Sequence, residues 1–209
     1  MTSHRHRNRR VATAPRAGGF SLIEMLISLA VIIILFTMMF GFTSRKNQLT
    51  KKQKCQANLQ KLYISLQIYA NEQGDWFPRH TNAVTSGDAL SVLVPQYAAD
   101  TTIFVCPGSK DKALAPGAVL ANERISYAYY MGRRQSDAKL PLMSDRQVDT
   151  KPKVAGTQVF SDDGKKPANN HYKYGGVILF SDGNTEVSGV DAPVALPIGT
   201  NIVLLNPKP

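Results

Sequence analysis

Residues 18–42 read GGFSLIEMLISLAVIIILFTMMFGF. From Phe20 to Phe42 this stretch holds 23 residues and a single charge, that of Glu24. An α-helix rises 1.5 Å per residue, so these 23 residues would span roughly 34 Å, enough to cross a bilayer core of about 30 Å. The stretch therefore predicts one membrane-spanning helix over residues 20–42.

Glu24 lies one turn into this predicted helix. A carboxylate costs about 2.5–3.5 kcal/mol at the centre of a membrane span, and less near its end. Because acids are rare in such spans, an acid there usually has a function and needs a cationic partner.

The residues before the span form a basic leader. Residues 1–19 contain five arginines and no acid, and they end in Ala17-Gly18-Gly19. Basic residues favour the cytoplasmic side of a membrane. In a secretory signal peptide the cleavage site follows the apolar region, whereas here the small residues precede it. A cut after Gly19 would therefore remove residues 1–19 and leave the apolar helix in the mature protein.

The octet at residues 19–26, GFSLIEML, resembles the processing signal of type IV prepilins and type II secretion pseudopilins. The resemblance implies that a prepilin peptidase cuts between Gly19 and Phe20 and methylates the new amine of Phe20. It also implies that Glu24 pairs with the amine of a neighbouring subunit in a filament. An α-amine titrates near 8 and is largely cationic at neutral pH, so such a pair is electrostatically sound.

The resemblance implies a role in assembly, without catalysis and without a certain cofactor. The expected function is that of a pseudopilin in a type II secretion-type fibre of a Gram-negative envelope. The protein would be anchored once in the inner membrane, with its N-terminus cytoplasmic and its head periplasmic. Its expected partners are the prepilin peptidase, other copies and related subunits, and the assembly platform with its ATPase.

Two other functions stay open from the sequence. A type IV pilin of a surface pilus would share every N-terminal feature described above. A membrane-anchored periplasmic enzyme or binding domain would share the anchor alone. No nucleophile elbow, phosphate-binding loop or Gly-x-Gly-x-x-Gly motif is present in the sequence, so we expect no enzymatic activity.

The positive charge of the chain is not a nucleic-acid signal. The formal charge is +10, from 25 basic and 15 acidic residues, and the leader holds five of the basic ones. The mature chain therefore carries about +5, and a basic run at residues 45–54 follows the span directly. Such a run is typical of a solvated face beside lipid headgroups, and we expect no nucleic-acid partner.

Cys55 and Cys106 are the two cysteines of the chain, and both would lie outside the cytoplasm. An oxidising compartment permits a disulfide between them, which would fasten the head to its helix. Two buried free thiols are the alternative, because the sequence does not show whether the Cα atoms approach within about 7 Å. Two cysteines and scattered histidines are too few ligands for a predicted zinc site.

The apolar helix has no stop at Phe42. Residues 44–73 lack proline and glycine, and apolar residues recur at helical spacing down to Gly74, where helix-ending chemistry appears. We therefore expect residues 43–73 to continue the helix in amphipathic form. The apolar positions of this continuation are Cys55, Leu59, Leu62, Leu66 and Tyr69.

Residues 74–209 are predicted to form a periplasmic head. Short β-rich segments occur at residues 102–105, 125–131, 140–143, 157–160, 177–180 and 185–190. A helix followed by antiparallel strands is an α+β order. We expect a small antiparallel sheet that packs on the apolar stripe of the helix.

Parts of the head resemble a group of bacterial prepilin-type proteins. The similar segments surround Cys55, Cys106 and residues 126–129. That group often carries a histidine, nine residues and then Asp-Gly near the C-terminus, whereas here ten residues separate His171 from Asp182.

Three oxygen-bearing side chains alternate near the C-terminus, at Asp182, Asn184 and Glu186. Calcium prefers several such ligands, and major pseudopilins as a group are known for a calcium site in a C-terminal loop. A calcium site is one interpretation of these residues. The other is turn chemistry, in which Asp182-Gly183 closes a hairpin and the polar side chains face water.

Overall fold

The structure is a computed structural model that describes residues 21–209, with side chains described at 21–39 and 46–209. The chain divides into two compact units, Met1–Thr43 and Ser44–Pro209. The predicted leader at 1–19 and the processing residues Gly19 and Phe20 lie outside the described residues.

Helix α1 runs over Leu22–Glu72 and passes from the first unit into the second. In the first unit, the carbonyl of Ser21 accepts the N–H groups of Glu24 at 3.0 Å and Met25 at 3.2 Å, which starts the helix. Leu22–Met39 is long and apolar enough to cross a membrane, and its side chains are exposed. This segment lies within the span predicted from the sequence.

The second part of α1 buries the apolar stripe that the sequence predicts. Cys55, Leu59, Leu62 and Leu66 are fully buried. The helix ends at Glu72, just before Gly74, where the sequence predicts its end. Gly74 has a φ of +63°, a left-handed conformation that glycine adopts without strain. The N–H of Asp75 then donates to the carbonyl of Ala70 at 2.8 Å, which satisfies one of the last helical carbonyls.

Five antiparallel strands form the sheet of the head, which confirms the α+β class. Their order across the sheet is β4-β3-β2-β1-β5. One face packs with the α1 stripe in the main core, through residues such as Tyr127, Tyr129 and Met143, and the other carries Tyr130 and Ile178 into two smaller clusters. The strands are β1 (Tyr127–Met131), β2 (Pro141–Asp145), β3 (Gly176–Phe180), β4 (Thr185–Ser188) and β5 (Val203–Leu205). A short helix, α2 (Ser86–Leu90), packs beside the sheet in the main core.

Two of the predicted strands are wrong. Residues 102–105 lie instead in and after a 3₁₀ turn, Thr101–Phe104, whose start is capped by the Asp100 carboxylate accepting from the N–H of Thr102 at 3.0 Å. Residues 157–160 form one isolated bridge, Gln158 with Asp191. The N–H groups of Val159 and Phe160 both donate to the carbonyl of Val190, so no regular ladder continues.

Candidate functional site

The first candidate site is the start of α1. Glu24 lies in the first helical turn and is exposed, on a segment whose neighbouring side chains are nearly all apolar. Among the described side chains, at residues 21–39 and 46–209, no hydrogen bond or ion pair to its carboxylate is found. The α-helix therefore presents an acid whose counter-ion is not supplied by the described part of the chain.

A disulfide joins Cys55 of α1 to Cys106, which follows the 3₁₀ turn Thr101–Phe104. The Cα atoms are 5.3 Å apart, and the sulfurs belong to side chains that are 0% and 1% exposed. Of the two alternatives left open by the sequence, bridged or free thiols, the structure contains the bridged one. The disulfide fastens the head to its helix.

His171 and Asp145 lie against this disulfide. The Nε2 atom of His171 is 3.2 Å from the sulfur of Cys106 and 3.3 Å from Oδ2 of Asp145. Both side chains are fully buried. One potential ligand atom from each of Cys55, Cys106, Asp145 and His171 lies within 4.8 Å of all the others. We call these four residues the buried cluster.

The surrounding backbone and amides hold the buried cluster in place. Asp145 ends strand β2, and its carboxylate accepts from Nδ2 of Asn170 at 2.7 Å and from the N–H of Val177 at 2.9 Å. The N–H of Gly108 donates to the sulfur of Cys106 at 3.3 Å. Gly108 has to be glycine, because a Cβ there would lie 2.4 Å from Nδ1 of His171. That Nδ1 atom is buried and has no hydrogen-bond partner among the described residues.

Sequence reasoning named Cys55 and Cys106 as a possible disulfide and noted His171 only in a family pattern, and it missed Asp145. The zinc argument from the sequence counted two cysteines and dispersed histidines, and it had no means of adding this acid. Asp145 is the last residue of strand β2, whose five residues are all buried. A carboxylate at the end of a fully buried strand is the signal that could have singled it out, because a buried charge needs a partner.

Lys52 is a buried cation that Asp145 influences electrostatically, whereas the sequence pattern indicated an exposed residue. Its side chain is 5% exposed, and Nζ donates to the carbonyl of Ser188 at 2.9 Å. Burial lowers the pKa of Lys52, and the Asp145 carboxylate opposes this by raising it. The pairing of the helix with β4 thus turns one lysine of the basic run inward.

The candidate calcium residues lie in the β3–β4 turn. The Asp182 carboxylate accepts from the backbone N–H of Asn184 at 3.0 Å and from its side-chain Nδ2 at 2.7 Å. Glu186 lies within β4, opposite Ile178. These contacts are those of turn chemistry, and the calcium site stays a prediction.

The aromatic side chains divide between core and surface. Tyr127, Tyr129 and Tyr130 are fully buried and help to fill the core of the head. Trp76 is half-buried and lies between two guanidinium groups, with Cζ of Arg79 and of Arg134 at 3.7 and 3.9 Å from the centre of its ring. These cation–π contacts occupy the tryptophan ring.

The model of one protein family, described as the prokaryotic N-terminal methylation motif, matches residues 15–40. This range includes the leader end, Gly19, Phe20, Glu24 and most of the apolar helix. No curated protein and no solved structure matches the chain.

Proposed function

We propose that this chain is a prepilin-type subunit and forms part of a periplasmic secretion fibre. The match of residues 15–40 to the prokaryotic N-terminal methylation motif supports the proposal. The observation that carries the proposal is that the methylation motif contains an acid, Glu24, for which the described residues supply no counter-ion. An N-terminal amine at Phe20 of another copy would supply the opposite charge.

The electrostatic step is the pairing of Glu24 with that amine. Each charge alone is costly in an apolar environment, and removing one partner of a buried pair typically costs about 3–5 kcal/mol. Pairing between copies therefore favours one register of neighbouring subunits over others. A net gain in stability is not required for this selection.

Packing of apolar helices supports the same assembly. The side chains of Leu22–Met39 are exposed in the single chain, whereas the apolar stripe of the second part of α1 is already covered by the head. The first segment can therefore lie in the inner membrane before assembly and against other helices afterwards. In lipid, such association depends on close packing and polar pairing, because the lipid itself is apolar.

A non-catalytic role agrees with the state of the buried cluster. Cys106, His171 and Asp145 have the residue types of a nucleophile, a base and an acid, and His171 contacts the other two. The sulfur is bonded in a disulfide, and the three side chains are at most 1% exposed, which leaves no room for a substrate. We therefore propose that the head serves as a structural module.

Deletion of the gene in its own host tests the secretion assignment. We expect loss of export of one or more envelope-crossing proteins, restored by the wild-type chain and not by Glu24→Ala. Unchanged export together with loss of surface pili in electron micrographs would assign the chain to a pilus instead. Unchanged export and unchanged pili would contradict both assembly functions.

A further inference from the structure

The buried cluster combines four side chains that a closed metal site requires. Two sulfurs, one imidazole and one carboxylate converge, and each is at most 1% exposed. Zn²⁺ binds Cys, His and Asp or Glu side chains, and its structural sites are almost always tetrahedral. A disulfide alone needs neither a buried carboxylate nor a buried histidine beside it, and burying these groups is costly.

We propose that the buried cluster has a second state, in which reduced Cys55 and Cys106 bind one Zn²⁺ together with His171 and Asp145. The disulfide and the metal are then alternative fastenings of α1 to the head. This inference concerns the head alone and does not rest on the proposed function in fibre assembly.

The distances around His171 already suit tetrahedral coordination. With Zn–N and Zn–O bonds of about 2.0–2.1 Å, two such ligand atoms lie about 3.3 Å apart along a tetrahedral edge. The observed separation of Nε2 of His171 from Oδ2 of Asp145 is 3.3 Å. The corresponding edge from nitrogen to sulfur is about 3.5 Å for a Zn–S bond of about 2.3 Å, close to the 3.2 Å between Nε2 and the sulfur of Cys106.

The surroundings of the four ligands supply the outer contacts of a metal site. Asn170 and Val177 fix the carboxylate of Asp145 through hydrogen bonds, which orients a metal ligand. The N–H of Gly108 points at the sulfur of Cys106 and would stabilise a thiolate there.

Charge also favours a bound dication. Two thiolates, one carboxylate and Zn²⁺ sum to −1, and Lys52 places a buried cation where Asp145 acts on it electrostatically. The metal would therefore neutralise two of the three negative charges that the two deprotonated thiols and the Asp145 carboxylate carry together.

Reduction has to precede metal binding. Two bonded sulfurs lie about 2.05 Å apart, whereas two thiolates on one Zn²⁺ lie about 3.8 Å apart. A dithiol supplies two electrons and two protons: the S–S bond breaks, Cys55 and Cys106 become thiols, and the dithiol becomes a disulfide. Zn²⁺ then displaces the two thiol protons to solvent and forms two Zn–S bonds. Neutral His171 binds through the lone pair of Nε2 and keeps its single proton on Nδ1.

The surface beside Cys106 is a groove of about 490 Å³, which is also lined by Asn58, Thr102 and Ser109. In the newly made chain the thiols are already reduced, so metal binding needs no reductant before oxidation closes the disulfide.

Cobalt provides a spectroscopic test with the full-length chain in detergent. The protein is reduced with a dithiol in mild denaturant, returned to native buffer without oxygen and titrated with Co²⁺. We expect about one equivalent to bind with thiolate-to-cobalt charge transfer and the intense visible bands of tetrahedral Co²⁺, and Zn²⁺ to displace it. The oxidised chain, which carries the same leader histidines, should show neither signal.

The matched variants are His171→Gln and His80→Gln, since His80 is exposed and lies outside the buried cluster. We expect His80→Gln to bind as wild type and His171→Gln to bind at least about 100-fold more weakly, as loss of a direct ligand should cost no less than loss of an outer contact. Absence of charge transfer in the reduced wild type, or equal affinity in both variants, would overturn the proposal.

Thiol protection in the wild-type chain keeps the test decisive if His171→Gln does not fold. One equivalent of Zn²⁺ should slow alkylation of both Cys55 and Cys106 at least tenfold, and a chelator should restore the rate. Alkylation at the same rate with and without Zn²⁺ would refute the metal state.

Discussion

Glu24 is the one acid on a helix segment, Leu22–Met39, that is otherwise uncharged and is exposed. In Glu24→Ala we expect membrane insertion to be unchanged and incorporation into fibres to fall by at least about tenfold, because the amine of the neighbouring subunit loses its counter-ion. The measurement is the amount of chain in sheared or cross-linked fibres relative to the amount in membranes.

Ser28→Ala is the matched control for this substitution. Ser28 lies one turn further along the same helix, and its hydroxyl donates to the carbonyl of Met25 at 2.9 Å within the helix. Normal incorporation of Glu24→Ala, or an equal loss in Ser28→Ala, would argue against pairing between subunits.

Gly19 is the residue before the predicted cut. We expect Gly19→Val to block processing, because glycine has no side chain and the branched side chain of valine would obstruct the peptidase at the cut site. N-terminal mass spectrometry of the membrane protein should find methylated Phe20 in wild type and an uncut leader in the variant. Ala12→Val, elsewhere in the leader, should process normally, and mature product from Gly19→Val at the wild-type rate would contradict the cut site.

The β3–β4 hairpin depends on Gly183, which has a φ of +82°. A Cβ at this position would lie 2.5 Å from Cε1 of Tyr63, whose hydroxyl donates to the carbonyl of Ser181 at 2.8 Å. We therefore expect Gly183→Ala to lower the free energy of unfolding by about 1–3 kcal/mol, since both the backbone conformation and the contact with α1 are disturbed.

Gly189 provides the control for this hairpin prediction. A Cβ there would meet no atom within 4 Å, and the residue follows the same strand, β4. In urea unfolding followed by circular dichroism, Gly189→Ala should stay within about 0.5 kcal/mol of wild type. Equal stability of the two alanine variants would show that the turn does not need glycine.

At the scale of the whole molecule, the disulfide closes a loop of 51 residues between α1 and the head. Closing a loop of this length stabilises a fold by about 4 kcal/mol in the chain-entropy model. We expect Cys55→Ala/Cys106→Ala to lose roughly that amount in urea unfolding with a chelator present. The reduced wild type, measured with the same chelator, should lose a similar amount of unfolding free energy. An unchanged urea midpoint in the double variant would contradict this role of the disulfide.

The buried tyrosines make the head sensitive to alkali. Burial raises the pKa of Tyr130 to about 12. The pKa of Tyr127 is raised well above its ordinary value, mainly by burial and to a smaller extent by the nearby negative charge of Asp145. These phenols are neutral in the folded state and ionise more readily once unfolded. The stability that they contribute is therefore complete below about pH 10 and is lost as pH rises from about 10 to 12.

Two measurements across this pH range check the prediction: tyrosinate absorbance, which reports ionisation, and circular dichroism, which reports folding. Ionisation of the buried tyrosines should coincide with loss of the folded signal. In Tyr130→Phe the loss should move to higher pH, because one ionising group has been removed. Ionisation that is complete while the fold persists would exclude this coupling.

The sequence by itself determined the long apolar helix segment, its continuation and the α+β class, because local patterns encode them. A long apolar run, a stripe at helical spacing and a glycine at the helix end each act within one segment. The strands predicted at residues 102–105 and 157–160 are wrong, because short apolar runs do not reveal whether a neighbouring strand is available. The capping contact of Asp100 and the double use of one carbonyl by Val159 and Phe160 decided those segments.

Only the tertiary structure brought Asp145 to His171 and both to the disulfide. The four residues of the buried cluster come from α1, a loop, the end of β2 and the loop before β3, and 116 positions separate Cys55 from His171 (171 − 55). No local pattern relates residues so far apart, since their contact follows from the order of strands and from the side of the sheet that α1 covers. The same packing turned Lys52 from an expected surface residue into a buried one, because burial depends on which neighbour a helix face meets.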